Sequence, residues 1–310
     1  MRSPLSGWIV AAGIPIGEHL ISYDPAINTY GRAFIIGVLN TLMVTVIGVI
    51  LMRRAKEWEA PVITVVSLVQ VFLSMMLLGL YVGNIHIGSD PFGLIRLQEQ
   101  NIGLPWTKMA DYLTKIPLFR DGRGLNPLLQ NYWMTIHPPT LFLGFASTLV
   151  PFAFAMAGLM RRKYDAWVKP ALPWTFFSIM ILGTGILMGA AWAYESLSFG
   201  GFWAWDPVEN ASLVPWMTLT GLGHVMLIHK HQGRSLWSAF ILAALTFSFI
   251  LYSTFLTRSG ILGNSSVHAF TDLGMSGQLL VYLLFFVVFS IVLLILRRKE
   301  IPTVRVEEHI

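Results

Sequence analysis

The sequence predicts an all-α protein: a polytopic transmembrane bundle of about seven helices, with its chemistry in the loops at one face. Three observations predict it. Of the 310 residues, 55% are hydrophobic and only 12% charged, against a charged share of about 25% in soluble domains. Seven stretches are long and apolar enough to cross a bilayer, which takes about 20 residues: 33–52, 61–83, 139–160, 173–193, 212–229, 236–257 and 276–296. Basic residues gather in every second connection. Arg53, Arg54 and Lys56 follow the first stretch; Arg161, Arg162, Lys163 and Lys169 follow the third. Lys230 and Arg234 follow the fifth, and Arg297, Arg298, Lys299 and Arg305 the seventh.

Basic connections stay in the cytoplasm. Segments 84–138, 194–211 and 258–275 are therefore expected outside, with the N-terminus out and the C-terminus in. In order along the chain, Trp8–Ile16 is too short to span. It follows a single basic residue, Arg2, and lacks a small-residue cleavage site, so residues 1–32 read as an interfacial segment. Residues 33–83 hold two spans, and 84–138 form a long outer loop of soluble character with a short amphipathic helix near Trp106–Lys115. Residues 139–296 carry the remaining spans and the outer loops between them, and 297–310 are a cytoplasmic tail. There is no internal repeat.

The net charge is +5 and the sequence pI about 9.5. Topology accounts for that excess, and no nucleic-acid partner is expected. Cysteine is absent, which excludes disulfides, thiolate metal ligands and a cysteine nucleophile. Any thiol chemistry must use a partner's sulfur.

The most unusual segment runs from Trp192 to Trp216. It holds Tyr194, Glu195, Phe199, Gly200, Gly201, Phe202, Trp203, Trp205, Asp206, Pro207, Glu209 and Asn210, and between 194 and 211 not one Lys or Arg. An interfacial aromatic belt would explain the tryptophans, but not the Gly-Gly pair or the Trp-Asp-Pro-x-Glu-Asn run. Asp206 before Pro207 reads as an N-cap with Pro at N1, opening the fifth span. A flat, apolar, aromatic surface suits a large planar hydrophobic ligand, and Trp192, Trp203, Trp205, Asp206 and Trp216 are its candidate residues. Two histidines flank it at the same expected face: His137 in Ile136-His137-Pro138-Pro139 and His268 in Val267-His268-Ala269-Phe270. Neutral imidazole is the common axial ligand of haem iron. His224 lies within the fifth span between Gly223 and Val225, where an ionisable side chain is a functional candidate by default. His86 has no comparable setting.

Trp203-Ala-Trp205-Asp206-Pro207-Val208-Glu209-Asn210-Ala211-Ser212 resembles the tryptophan-rich (WWD) motif of the haem-handling proteins of cytochrome c maturation, in its CcmF-type branch. Gly124-Leu-Asn-Pro127-Leu-Leu-Gln130, His137-Pro-Pro and Thr257-Arg258-Ser259-Gly260 leading to Val267-His268-Ala269-Phe270 are similar to the same branch, over roughly residues 60–296. The resemblance implies that His137 and His268 meet incoming haem b as axial ligands or as guides, and that His224 ligates a second, structural b-haem. It implies a haem lyase subunit that joins haem vinyl groups to the Cys-x-x-Cys-His thiols of apocytochrome c. Its partners would be a haem chaperone and other maturation subunits, at the bacterial inner membrane with the active loops periplasmic. No catalytic residue is implied beyond those that position haem. A haem transporter or delivery protein that presents haem to a separate lyase is the alternative, and a cytochrome b-like electron carrier a third reading. Family members are longer, so this chain reads as truncated, or as one polypeptide of a split subunit with the b-haem's other ligand elsewhere.

Overall fold

Inside a bilayer every backbone N–H and C=O has to find its partner within the protein, and a helix supplies all of them locally. Most apolar runs among the described residues accordingly close into helices. The computed structural model describes residues 55–76, 80–82, 85–88, 101–120, 127–198, 200–262 and 275–303. Seven helices of 13 residues or more stand among them: α1 (Glu59–Met75), α2 (Tyr132–Ser147), α3 (Leu149–Arg161), α4 (Val168–Ser196), α5 (Pro207–Gln232), α6 (Leu236–Arg258) and α7 (Ser276–Arg297). Helices α2 and α3 abut at Thr148 and together cross as one 30-residue rod. With α4 to α7 they make five helices long and apolar enough to span a membrane. The chain is a multi-pass helical membrane protein. The expected first span, 33–52, and the segment 1–32 lie outside the described residues.

The second expected span, 61–83, is corrected. Helix α1 stops at Met75, and Leu80–Val82 pair antiparallel with Ile85–Ile87, Val82 opposite Ile85. The reason is local: Gly83-Asn84 favours a two-residue hairpin, and β-branched and aromatic residues on either side favour strands. The third span is also longer than expected. It begins at Tyr132 rather than 139, because Asn131 caps it, its side chain accepting from the Trp133 amide at 2.8 Å. The helix then runs through Pro138 and Pro139. Near Trp106–Lys115 the expected amphipathic helix is two single turns, Pro105–Lys108 and Tyr112–Lys115.

Helices α2 and α4 run antiparallel in very close contact, in the register Asn131–Glu195, His137–Gly189, Leu141–Gly185, Gly144–Leu182. Glycine makes this approach possible, as small residues do between spans. A Cβ on Gly144 would stand 2.6 Å from the Leu182 Cα, and one on Gly185 2.7 Å from the Leu141 Cα. Both obstacles are backbone, so the helices would have to part. Gly144→Ala is therefore expected to lower stability by about 1–3 kcal/mol, read as an earlier thermal unfolding of the detergent-solubilised protein. Behind this pair, a cluster of aromatic rings fills the space between α1, α3, α6 and α7. Phe152 and Phe247 stack at 4.3 Å, and Phe286 meets both edge-on and packs in turn against Phe72 and Tyr282.

The two ends of the bundle differ. At one end the basic connections meet. Lys163 bonds Glu57 at 2.9 Å, Tyr164 donates to Glu300, Arg162 and Arg297 face the same Glu300 carboxylate, and His229 lies 3.3 Å from Asp165. The hydrogen bond from Lys163 holds the Glu57 carboxyl below its usual range. The hydroxyl of Tyr164 does the same for Glu300. Four connections far apart in sequence, all marked by positive charge, thus lie together. At the other end stand the start of α2, the end of α4 and the tryptophan-rich loop.

Candidate functional site

The loop between α4 and α5 is built from its helix ends inward. Asp206 caps α5, accepting from the Val208 amide at 2.7 Å, with Pro207 at N1. Glu209 completes a capping box, its carboxylate accepting from the Asp206 amide at 3.2 Å. The cap read from the sequence is present. Its Glu209 half was missed there, although Asp-x-x-Glu before an apolar run is a recognisable box pattern. The loop's small residues serve the turn: Gly200 has φ +71° with no atom within 4 Å of a built Cβ.

Aromatic rings stand out from this frame. Tyr194 and Phe202 stack at 4.3 Å, with planes within 7°. Trp203 and Trp205 meet edge-on at 6.2 Å. Tyr194 is 54% exposed, Phe202 57% and Trp205 71%. So much apolar ring surface left uncovered at the end of a membrane bundle is the kind of patch that marks a binding surface. The Trp203 indole N–H is buried and has no hydrogen-bond partner among the described residues. Beside the loop, Leu128, Ser196, Leu197, Ser198, Ala204, Asp206 and Glu209 line a cavity of about 350 Å³.

Two of the expected platform tryptophans are placed differently. Trp192 is buried in α4 and donates its indole N–H to the Leu128 carbonyl at 2.9 Å. It fastens the segment before α2 to the end of α4. Trp216 lies between two and three turns into α5, donating to the Ile179 carbonyl at 3.0 Å and lying against Gly183. Its ring joins α4 to α5.

His137 stands within α2, about 9 Å along the axis from Asn131, rather than in the loop before the span. Its ring rests on the backbone of α4, where a Cβ on Gly189 would come 2.6 Å from Cε1. Its Nδ1 lies 2.8 Å from the Gly185 carbonyl. A carbonyl only accepts, so Nδ1 carries the proton, and in the neutral ring Nε2 holds the lone pair. A carbonyl that fixes the tautomer in this way is the usual outer-shell support of a metal-binding imidazole. Above it, Glu195 joins α4 to α2, accepting from the Asn131 side chain at 2.8 Å and the Trp133 indole at 3.0 Å. That clamp was not visible in the sequence, because its members lie more than sixty positions apart.

His224 shows the same tautomer logic in another place. Its Nδ1 donates to the Thr220 carbonyl one turn back at 2.8 Å, and the side chain is exposed on the outer flank of α5. It stands about 27 Å along α5 from Asp206, so it and the loop belong to separate sites. His268 lies outside the described residues. The structure thus brings His137, Tyr194, Phe202, Trp203 and Trp205 to one end of the bundle and sets His224 apart.

Comparison with known proteins agrees in kind. The cytochrome c-type biogenesis protein CcmF of Pseudomonas fluorescens is 40% identical over 223 residues, 72% of this chain and 32% of that protein. CycK of Bradyrhizobium diazoefficiens is 44% identical over 177 residues, 53% of this chain and 26% of the relative. CcmF of Escherichia coli is 43% identical over 153 residues, 49% and 23%. A solved structure of cytochrome c heme lyase CcmF aligns with 94% of this chain and 49% of that one, at 23% identity and a TM-score of 0.48. The chain spans between 23% and 32% of the length of these curated relatives. The family model described as Cytochrome C assembly protein matches residues 33–262, most of the sequence, and this chain belongs to that family.

Proposed function

We propose that this chain holds haem b as a substrate at the outer end of its bundle and takes part in joining it to the Cys-x-x-Cys-His thiols of apocytochrome c. The observation that carries the reading is His137. Its ring is held against α4 with the proton on Nδ1, the tautomer and backbone support common to iron-ligating imidazoles, at the same end of the bundle as exposed rings suited to a macrocycle. His268 is the proposed second axial partner. Trp203, Trp205 and the stacked Tyr194 and Phe202 form the apolar contact surface, and Asp206 keeps the loop on its helix. Trp192 and Trp216 contribute from behind by tying the segment before α2 to α4 and α4 to α5.

The work asked of these residues is placement. Asp206 and Glu209 both serve the start of α5, and Glu195 serves the α2–α4 clamp. A thioether bond between a vinyl group and a thiol needs the two partners held close, which alone lowers the barrier greatly. The chain has no cysteine, so both thiols come from the cytochrome. His224 is proposed to ligate a second, structural b-haem on the flank of α5. The tryptophan-rich loop would be periplasmic, in a bacterial inner membrane, with the basic end and the C-terminus cytoplasmic. A haem chaperone and other maturation subunits would be its partners.

The test is an optical spectrum of the purified protein with a pyridine haemochrome assay. A haem b signal that falls in His137→Ala, with a second fraction that falls only in His224→Ala, supports the reading. A protein that takes up no haem in either state sinks it. Orientation is checked separately: a reporter active only in the periplasm should be active fused after Gly200 and inactive after Arg162. The reverse pattern would move the site to the cytoplasm.

A further inference from the structure

Trp205 has φ +60°, a left-handed backbone conformation that brings the Cβ of any L-residue close to its own carbonyl. Glycine would make the same turn without strain. A tryptophan there implies that the side chain is needed, and non-glycine residues so held concentrate at functional sites. Burial does not compensate the strain, since the residue is 71% exposed and its ring meets Trp203 only edge-on.

Hydrogen bonds from the first turn of α5 hold it instead. One carboxylate oxygen of Glu209 accepts from the amide of Ala204 at 2.9 Å and from that of Asp206 at 3.2 Å, the residues on either side of Trp205. The side-chain amide of Asn210 donates to the Trp205 carbonyl at 3.0 Å. A helix start requires less than this. The Asp206 side chain with the Glu209–Asp206 bond already completes the capping box. The bonds to the Ala204 amide and the Trp205 carbonyl are additional, and both grip the backbone of the strained residue and its neighbour.

We propose that Glu209 and Asn210 are positioning residues that lock Trp205 in its left-handed conformation and so present its indole to the ligand of the outer site. The inference rests on the reading of that site given above, and it explains why an acid and an amide follow the Trp-Asp-Pro run at this spacing.

Near-isosteric variants separate the lock from the cap. Asn210→Asp keeps the shape but cannot donate to the Trp205 carbonyl. Glu209→Ala loses both acceptor contacts, whereas Glu209→Gln keeps an oxygen able to accept both amides. The full chain is labelled with 5-fluorotryptophan, and among its 11 tryptophans the ¹⁹F resonance of Trp205 is assigned by its loss in Trp205→Phe. The Trp205 resonance should shift or broaden in Asn210→Asp and Glu209→Ala and keep its place in Glu209→Gln, while the Trp167 and Trp216 resonances stay put in all three. Haem b titrated into the same samples should bind about 2–10-fold more weakly in the first two variants, the range expected when one aromatic contact is lost, and near wild type in the third. A Trp205 resonance unmoved in Asn210→Asp overturns the inference. Moved resonances with haem affinity unchanged, in these variants and in Trp205→Ala alike, overturn the reading of the outer site and with it the presentation of the indole.

Discussion

Replacing His137 by Ala is expected to abolish haem retention at the outer site and, in cells, maturation of c-type cytochromes. Loss of an outer-shell partner of a metal-binding histidine typically costs 10–100-fold in affinity, so loss of the imidazole itself should exceed about 100-fold. The fold should survive. The Gly185 carbonyl belongs to a 29-residue helix, and the α2–α4 contact is also held by Gly144, Gly185 and the Glu195 clamp. The measurement is haem bound per purified protein together with haem-stained cytochrome in membranes, for His137→Ala alone and combined with His268→Ala. Replacing His86 serves as the control and should change little. Normal cytochrome levels in the double variant would remove the histidines from the mechanism.

The second large effect is expected from a residue that touches no ligand. In Gly189→Ala the new methyl would stand 2.6 Å from His137 Cε1 and 3.0 Å from each ring nitrogen. The imidazole has to leave the face of α4, and its bond to the Gly185 carbonyl goes with it. Overpacking of this kind costs about 1–3 kcal/mol, and displacement of the ring should weaken haem retention by about 10–100-fold. Gly221→Ala is the matched control, because its Cβ would meet nothing closer than a Leu242 methyl at 3.7 Å. Equal haem binding in the two glycine variants would show that the position of the His137 ring is irrelevant to the site.

The sequence was most legible where periodicity and charge act locally. The stretches 173–193, 212–229, 236–257 and 276–296 each lie inside a helix, because a long apolar run in a bilayer has no other way to satisfy its backbone. The helix ends were less legible, since apolar content does not mark them. Asn131, Asp206 and Gly233 do, through side-chain caps and a left-handed C-terminal residue. The start of α2 at Tyr132 was hidden by Pro138-Pro139, which reads as a boundary; interior prolines each cost a helix about 3 kcal/mol when isolated. Here contacts from Asn131, Trp133 and His137 to α4 hold the helix through them. The stretch 61–83 misled in the opposite way. Its apolar residues are continuous, but the helix ends at Met75 and Leu80–Val82 pair antiparallel with Ile85–Ile87.

The sequence by itself determined the class of protein: a helical membrane bundle, basic connections gathered at one end, and a tryptophan-rich loop opened by an Asp-Pro cap. These follow from hydropathy, charge and short-range chemistry, which depend on neighbours a few positions away. Only the tertiary structure decided which tryptophans stand exposed and which pack between helices, as Trp205 and Trp192 do in turn. It alone set the tautomer of His137 through a carbonyl 48 positions on, and turned His224 to the outer flank of α5. Those outcomes depend on how closely α2 and α4 approach across Gly144, Gly185 and Gly189, a distance set by packing between segments far apart in the chain.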